Sequence, residues 1–191
     1  METQIGDKEL IARVLEKDSK ALEVLYDKYS PVLFTLINKI VGEKSKAENI
    51  LSDIFVIIWQ KSFLFNFETS NLYSWLVLLA RNKSIDIVKR EKGLITEEYN
   101  DDYENQFIIP HLSPEITPID IDEVFSKRSI IFEAVNHLTE AQQYVLSLAY
   151  YEGLNENEIA RQLNIPLLTV KTKLRVVLNS IKDNLNKETN Q

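Results

Sequence analysis

The 191-residue chain has no cysteine. Disulfides, cysteine-ligated zinc and thiol catalysis are therefore excluded, and a reducing compartment suits the composition. Its two histidines argue against a histidine-based metal site. Only four glycines and five prolines interrupt a chain rich in leucine, isoleucine, glutamate, lysine and asparagine, which points to helix throughout. Long apolar runs are missing as well. The longest, Ile54–Trp59 and Trp75–Ala80, are far too short to cross a bilayer, and METQIGDKEL at the N-terminus has no signal-peptide pattern. These absences predict a soluble cytoplasmic protein. No acid, base, nucleophile or metal-ligand constellation converges, so neither an enzyme nor a bound cofactor is expected.

Positive charge is also scarce, with a net charge of −7, yet its distribution matters more than its sum. Residues 1–90 carry 13 basic and 12 acidic groups, residues 91–127 carry 2 and 10, and residues 128–191 carry 7 of each. The acidity sits in one middle segment between near-neutral flanks. Such flanks permit DNA binding but suggest weak intrinsic affinity, or binding that needs a partner.

What is present is helical periodicity in two blocks. In the first, Leu10, Ile11, Val14 and Leu15, then Ala21, Leu22, Leu25, Tyr26 and Tyr29, repeat at helical spacing, with Asp18 or Ser19 as a cap. Pro31 starts a new segment or kinks the helix, and Gly42 stops the run. Ser45 and Glu48 stand at capping-box spacing before a helix that buries Ala47, Ile50, Leu51, Ile54, Phe55, Ile58 and Trp59. The other side of that helix reads Asn49, Asp53, Val56, Ile57 and Gln60. An apolar pair beside a carboxylate is either a docking surface for a protein or part of a helix buried all round.

The stretch FLFNFETSNLYSW, residues 63–75, interleaves aromatics with amides and hydroxyls. It can receive unstacked bases or plug a core. Ser70 or Asn71 then caps a helix running to Lys89, with Asn82, Asp86 and Lys89 on a side of their own and a basic end. Residues 93–127 hold Gly93, Pro110, Pro114 and Pro118 and little helical periodicity. They read as a linker with short ordered turns. It is acidic enough to sit in a partner's basic groove or to fold back over the protein's own DNA-binding faces.

In the second block, Ser126 and the Thr139/Gln142 pair cap two helices, and Gly153 stops the latter. Asn155 and Glu158 open another helix, burying Ile159, Ala160 and Leu163. Asn164 takes the left-handed turn, and Pro166 cannot continue it. The last helix buries Val170, Leu174, Val177, Leu178 and Ile181. Its other faces carry Thr169, Lys171, Thr172, Lys173, Arg175 and Asn179. Two helices on a tight turn, the second basic and hydroxylic outside, read as a helix-turn-helix for a major groove, or as an ordinary helical hairpin. The expected fold is all-α: two small helical domains, residues 5–92 and 128–187, joined by an acidic linker, residues 93–127.

Three stretches carry a resemblance: residues 21–61, residues 71–92 (NLYSWLVLLARNKSIDIVKREK) and residues 137–182. In this order and spacing the chain resembles the bacterial RNA polymerase sigma factors of the sigma-70 family, in the two-domain extracytoplasmic-function group. The resemblance implies that Asp53, Val56, Ile57 and Gln60 dock on core RNA polymerase. It implies that Asn66, Phe67, Asn71 and Tyr73 take part in melting, with Trp75 a candidate that also suits a core. It places Asn82, Asp86, Lys89 and Arg90 at minus-ten promoter DNA, and Leu168, Thr169, Lys171, Thr172, Lys173 and Arg175 at the minus-thirty-five element. An anti-sigma factor is the family's usual control. Leu168 stands where the family commonly has a small residue, and Arg175 is the one arginine of the recognition helix, so bidentate guanine readout is limited. The rival readings are a free-standing helix-turn-helix regulator and an all-helical adaptor.

Overall fold

The computed structural model describes residues 6–65, 71–112 and 125–189. Every regular element among them is helical, and the chain forms two compact units, residues 1–120 and 121–191.

The first unit is built on four helices: α1 (Asp7–Leu15), α2 (Ser19–Val41), α3 (Lys44–Lys61) and α4 (Leu72–Glu91). Asp18 caps α2, accepting from the Lys20 and Ala21 amides. Gly42, at φ 73°, ends it in the left-handed region, where a side chain would be strained. Pro31 neither starts a helix nor ends one. It lies exposed inside α2, and the Thr35 hydroxyl donates to its carbonyl at 2.8 Å. Leu10, Ile11, Val14, Leu25, Leu33, Ile37, Ile54, Ile58, Leu76 and Leu79 are fully buried and form the core, with Trp75 and Tyr29 the largest side chains in it.

Two local expectations for α3 fail. Its N-cap is Glu43 rather than Ser45, whose hydroxyl instead donates to the Glu43 carboxylate at 2.6 Å. Ile57 is not on the solvent face but 5 % exposed. It follows Ile50 and Ile54 at seven and three residues, so it widens the buried stripe instead of leaving it.

The segment after α4 is more ordered than its composition suggests. Asn100 caps a single turn, Asp101–Tyr103, that continues as one π-helical turn, Glu104–Ile108, and Ile108 and Ile109 are buried.

The second unit holds α5 (Arg128–Asn136), α6 (Glu140–Tyr150), α7 (Glu156–Leu163) and α8 (Leu167–Thr189). Complete capping boxes open α6 (Thr139/Gln142) and α7 (Asn155/Glu158), and Asn164 at φ 50° closes α7. The N-cap of α5 is Lys127, not Ser126. Val145, Leu148, Ile159 and Val170 form the centre, with Leu154, Leu163, Ile165 and Leu174 packed on it. Leu178, expected inside, is 63 % exposed. The inward line runs through Val170, Leu174 and Val177, and Leu178 lies one residue, or about 100° of helix, beyond it. No helix among the described residues is long and apolar enough to cross a membrane.

Candidate nucleic-acid and polymerase interfaces

The turn between α7 and α8 fixes the first surface. Asn164 adopts the left-handed conformation, the Ile165 amide donates back to Ala160, and Pro166 precedes the first turn of α8. Burial of Val170, Leu174 and Val177 then turns the opposite side outward. Leu168 is 74 % exposed; Lys171, Thr172 and Arg175 are exposed, and Thr169 and Lys173 half-buried. The Lys171 ammonium lies 3.7 Å from Glu156, a solvent-exposed pair too weak to hold it. Cations and hydroxyls displayed along one helix can bond phosphates and base edges.

On α3, Asp53, Val56 and Gln60 face solvent, with Val56 half exposed, while Ile57 does not. The exposed apolar side chains continue with Phe63 and Leu64 beyond the helix. The exposed apolar side chains of this region are therefore Val56, Phe63 and Leu64, and Ile57, expected beside Val56, is not among them.

Of the expected melting residues, Asn66 and Phe67 lie outside the described residues. The Asn71 side chain is engaged as the N-cap of α4, accepting from the Ser74 amide at 2.8 Å. Tyr73 is half-buried beside Tyr29, and burial raises its phenol pKa. Trp75 is core, 1 % exposed and edge-on to Phe65.

The far half of α4 is a network. Asp86, 4 % exposed, accepts from Arg90 Nε at 2.8 Å and from the Tyr103 hydroxyl at 2.6 Å. Asn82 Nδ2 donates to the Ile108 carbonyl at 3.1 Å. Lys83, nearly buried, donates to the Tyr99 hydroxyl at 2.7 Å, which in turn donates to Glu104. Burial pulls the Lys83 ammonium pKa down against the opposing pull of Asp53, Glu104 and Asp86. Burial and Glu104 push the Tyr99 phenol far above its ordinary range. At the end of α3, burial lowers the Lys61 ammonium, but Glu104 at 2.6 Å and Asp101 at 3.1 Å outweigh it and its pKa ends raised. Asn82, Asp86 and Arg90 thus come together as the spacing of four requires, and Lys89 shares their half of the helix. Sequence reasoning read Lys83 only as part of the basic end of this helix, and missed Lys61 and the Tyr99, Tyr103 and Glu104 partners. The available signal was Tyr99, Tyr103 and Phe107 at intervals of four.

Comparison with known proteins matches this layout in two places. The Sigma-70 region 2 family covers residues 25–93, and the Sigma-70, region 4 family covers residues 128–176. The chain belongs to the sigma-70 family. Within this family it falls in the extracytoplasmic-function group. It is 24 % identical to the ECF RNA polymerase sigma factor RpoE of Cereibacter sphaeroides over 88 % of each chain. It is 23 % identical to the ECF RNA polymerase sigma factor SigK of Mycobacterium sp. strain KMS, over 91 % of this chain and 88 % of that one. Among solved structures it is similar to Rhodobacter sphaeroides SigE in complex with the anti-sigma ChrR, with 22 % identity and a TM-score of 0.48. That match covers 93 % of this chain and 99 % of the other. Region 2 and region 4 coincide with the α2–α4 and α5–α8 parts of the sigma factor, and a free-standing regulator is not favoured.

Proposed function

We propose that this sigma factor binds core RNA polymerase through residues 45–61, opens promoter DNA through residues 63–90, and holds upstream DNA through residues 154–182. It acts in the cytoplasm and has no catalysis of its own. Residues 5–92 form the polymerase and minus-ten domain, residues 93–127 the acidic linker, and residues 128–187 the minus-thirty-five domain. The observation that carries this reading is the pairing of two sigma-70 regions, in family order, with one solvent-facing cationic helix in the second. Lys171, Thr172 and Arg175 contact the minus-thirty-five element, with Leu168, Thr169 and Lys173 beside them. Asn82, Asp86, Lys89 and Arg90 meet minus-ten DNA. Asn66, Phe67, Asn71 and Tyr73 surround the opened strand. Asp53, Val56, Ile57 and Gln60 belong to the docking helix, Ile57 by shaping it from within. An anti-sigma factor is the expected controlling partner.

The charge distribution supports promoter binding within holoenzyme rather than by the free protein. The test is promoter binding and run-off transcription with purified protein, with and without core polymerase. Specific binding and transcripts are expected only with polymerase. Tight, specific binding without polymerase contradicts the reading.

A further inference from the structure

The residues that follow α4 lie between the two matched family regions, and residues 97–109 are laid along the half of α4 assigned above to minus-ten DNA. The contacts are side chain by side chain. Asn82 is bonded to the Ile108 carbonyl, Lys83 to Tyr99, Asp86 to Tyr103, and Arg90 Nη1 to the Glu97 carbonyl. The chemistry of the covering segment resembles that of a nucleic-acid strand. Tyr99, Tyr103 and Phe107 form a ladder with ring centroids 5.8 and 4.8 Å apart. The Lys83 ammonium stands 4.0 Å from the centre of the Tyr99 ring, and the Arg90 guanidinium 4.5 Å from that of Tyr103. Carboxylates flank the ladder where phosphates would: Glu104 and Asp101 neutralise Lys61. Rings stacked on cations and anions paired with lysine are the two devices by which a single strand is held.

We propose that residues 97–109 are a built-in nucleic-acid mimic, a strap that occupies the minus-ten face of α4 and competes with the promoter strand for the same side chains. The proposal rests on the reading of α4 as that face. It gives the acidic segment a specific task. Its carboxylates are matched to Lys61, and its rings and the Glu97 carbonyl to Lys83 and Arg90, so displacing it frees Lys61 for a phosphate and opens the ring-facing sides of Lys83 and Arg90. Lys61 directly follows Gln60 of the polymerase-docking helix, so the strap's acidic anchor sits at the border of the surface that polymerase covers.

The test uses hydrogen exchange and opening kinetics on the full chain in holoenzyme. In the free protein the amides of Glu104 and Ile109, bonded to the Asn100 and Glu104 carbonyls, should be protected, and that protection should be lost when promoter DNA opens. The double variant Tyr103→Phe, Glu104→Gln removes the hydroxyl on Asp86 and the charge on Lys61 while leaving α4 intact. It should raise the rate of open-complex formation at least about tenfold, the change expected from losing either one of these two contacts with a charged group. Protection that persists in the open complex, or a double variant that opens promoters no faster than wild type, overturns the strap. Lys89→Glu separates the two levels. If it slows opening while the strap stays protected, only the strap fails. If it leaves opening unchanged, the assignment of α4 fails and the strap with it.

Discussion

At the scale of single residues, Asp86 does the most with the least exposure. It is buried between Arg90 and Tyr103, and its two oxygens serve one partner each. Asp86→Asn should leave the guanidinium without its anion and cost about 2 kcal/mol, read as a lower urea midpoint of the full chain. Surface cations on α8 behave oppositely. Lys171→Glu and Arg175→Glu should change folding stability by no more than about 0.5 kcal/mol. Each should nonetheless weaken promoter binding by holoenzyme and flatten its salt dependence, by roughly one unit of slope for every phosphate no longer neutralised. Unchanged salt slopes in a titration of binding against ionic strength would remove these residues from the DNA interface.

At the scale of elements, the caps set where helices begin and end, and most were legible because they are local, Ser45 and Ser126 being the exceptions. Asp18, Gly42, Asn71, Asn155 with Glu158, and Asn164 all occupy the positions their spacing predicts. Asn155→Ala should cost about 1 kcal/mol by loss of the α7 cap, and Gly42→Ala a similar amount through its positive φ alone, both measurable by thermal unfolding. Asp18 adds a pH signature. The Arg13 guanidinium holds its carboxyl below the usual range, against some desolvation and with help from the capped amides. Its contribution is therefore complete above the ordinary carboxylate pKa and fades as the pH falls through the lowered value. The gap in melting temperature between wild type and Asp18→Ala should close in acid. What was not legible depended on neighbours distant in sequence. Spacing alone allows Ile57 on either the buried stripe or its edge and Leu178 likewise, and the packing partners decide that Ile57 is covered and Leu178 is not. The strap was obscured by its own composition, since proline, asparagine and clustered acids conceal the interval of four that joins Tyr99, Tyr103 and Phe107.

At the scale of the whole molecule, the family and its two-part layout were readable from order and spacing, because each part repeats a periodic core the sequence cannot hide. The placement of the acidic middle stayed open between a partner's groove and the protein's own faces, because its anchors lie on α3 and α4, 7 to 44 residues away. One consequence concerns measurement. Both indoles of the protein, Trp59 and Trp75, belong to the first unit, Trp59 beneath the Lys17 ammonium and Trp75 sealed in the core. Intrinsic emission excited at the tryptophan band is thus blind to the back half, whereas far-ultraviolet dichroism sees every helix. Heating the protein while recording both signals should give curves that part company wherever the halves melt independently, and the interval between them reads out how loosely the two are coupled.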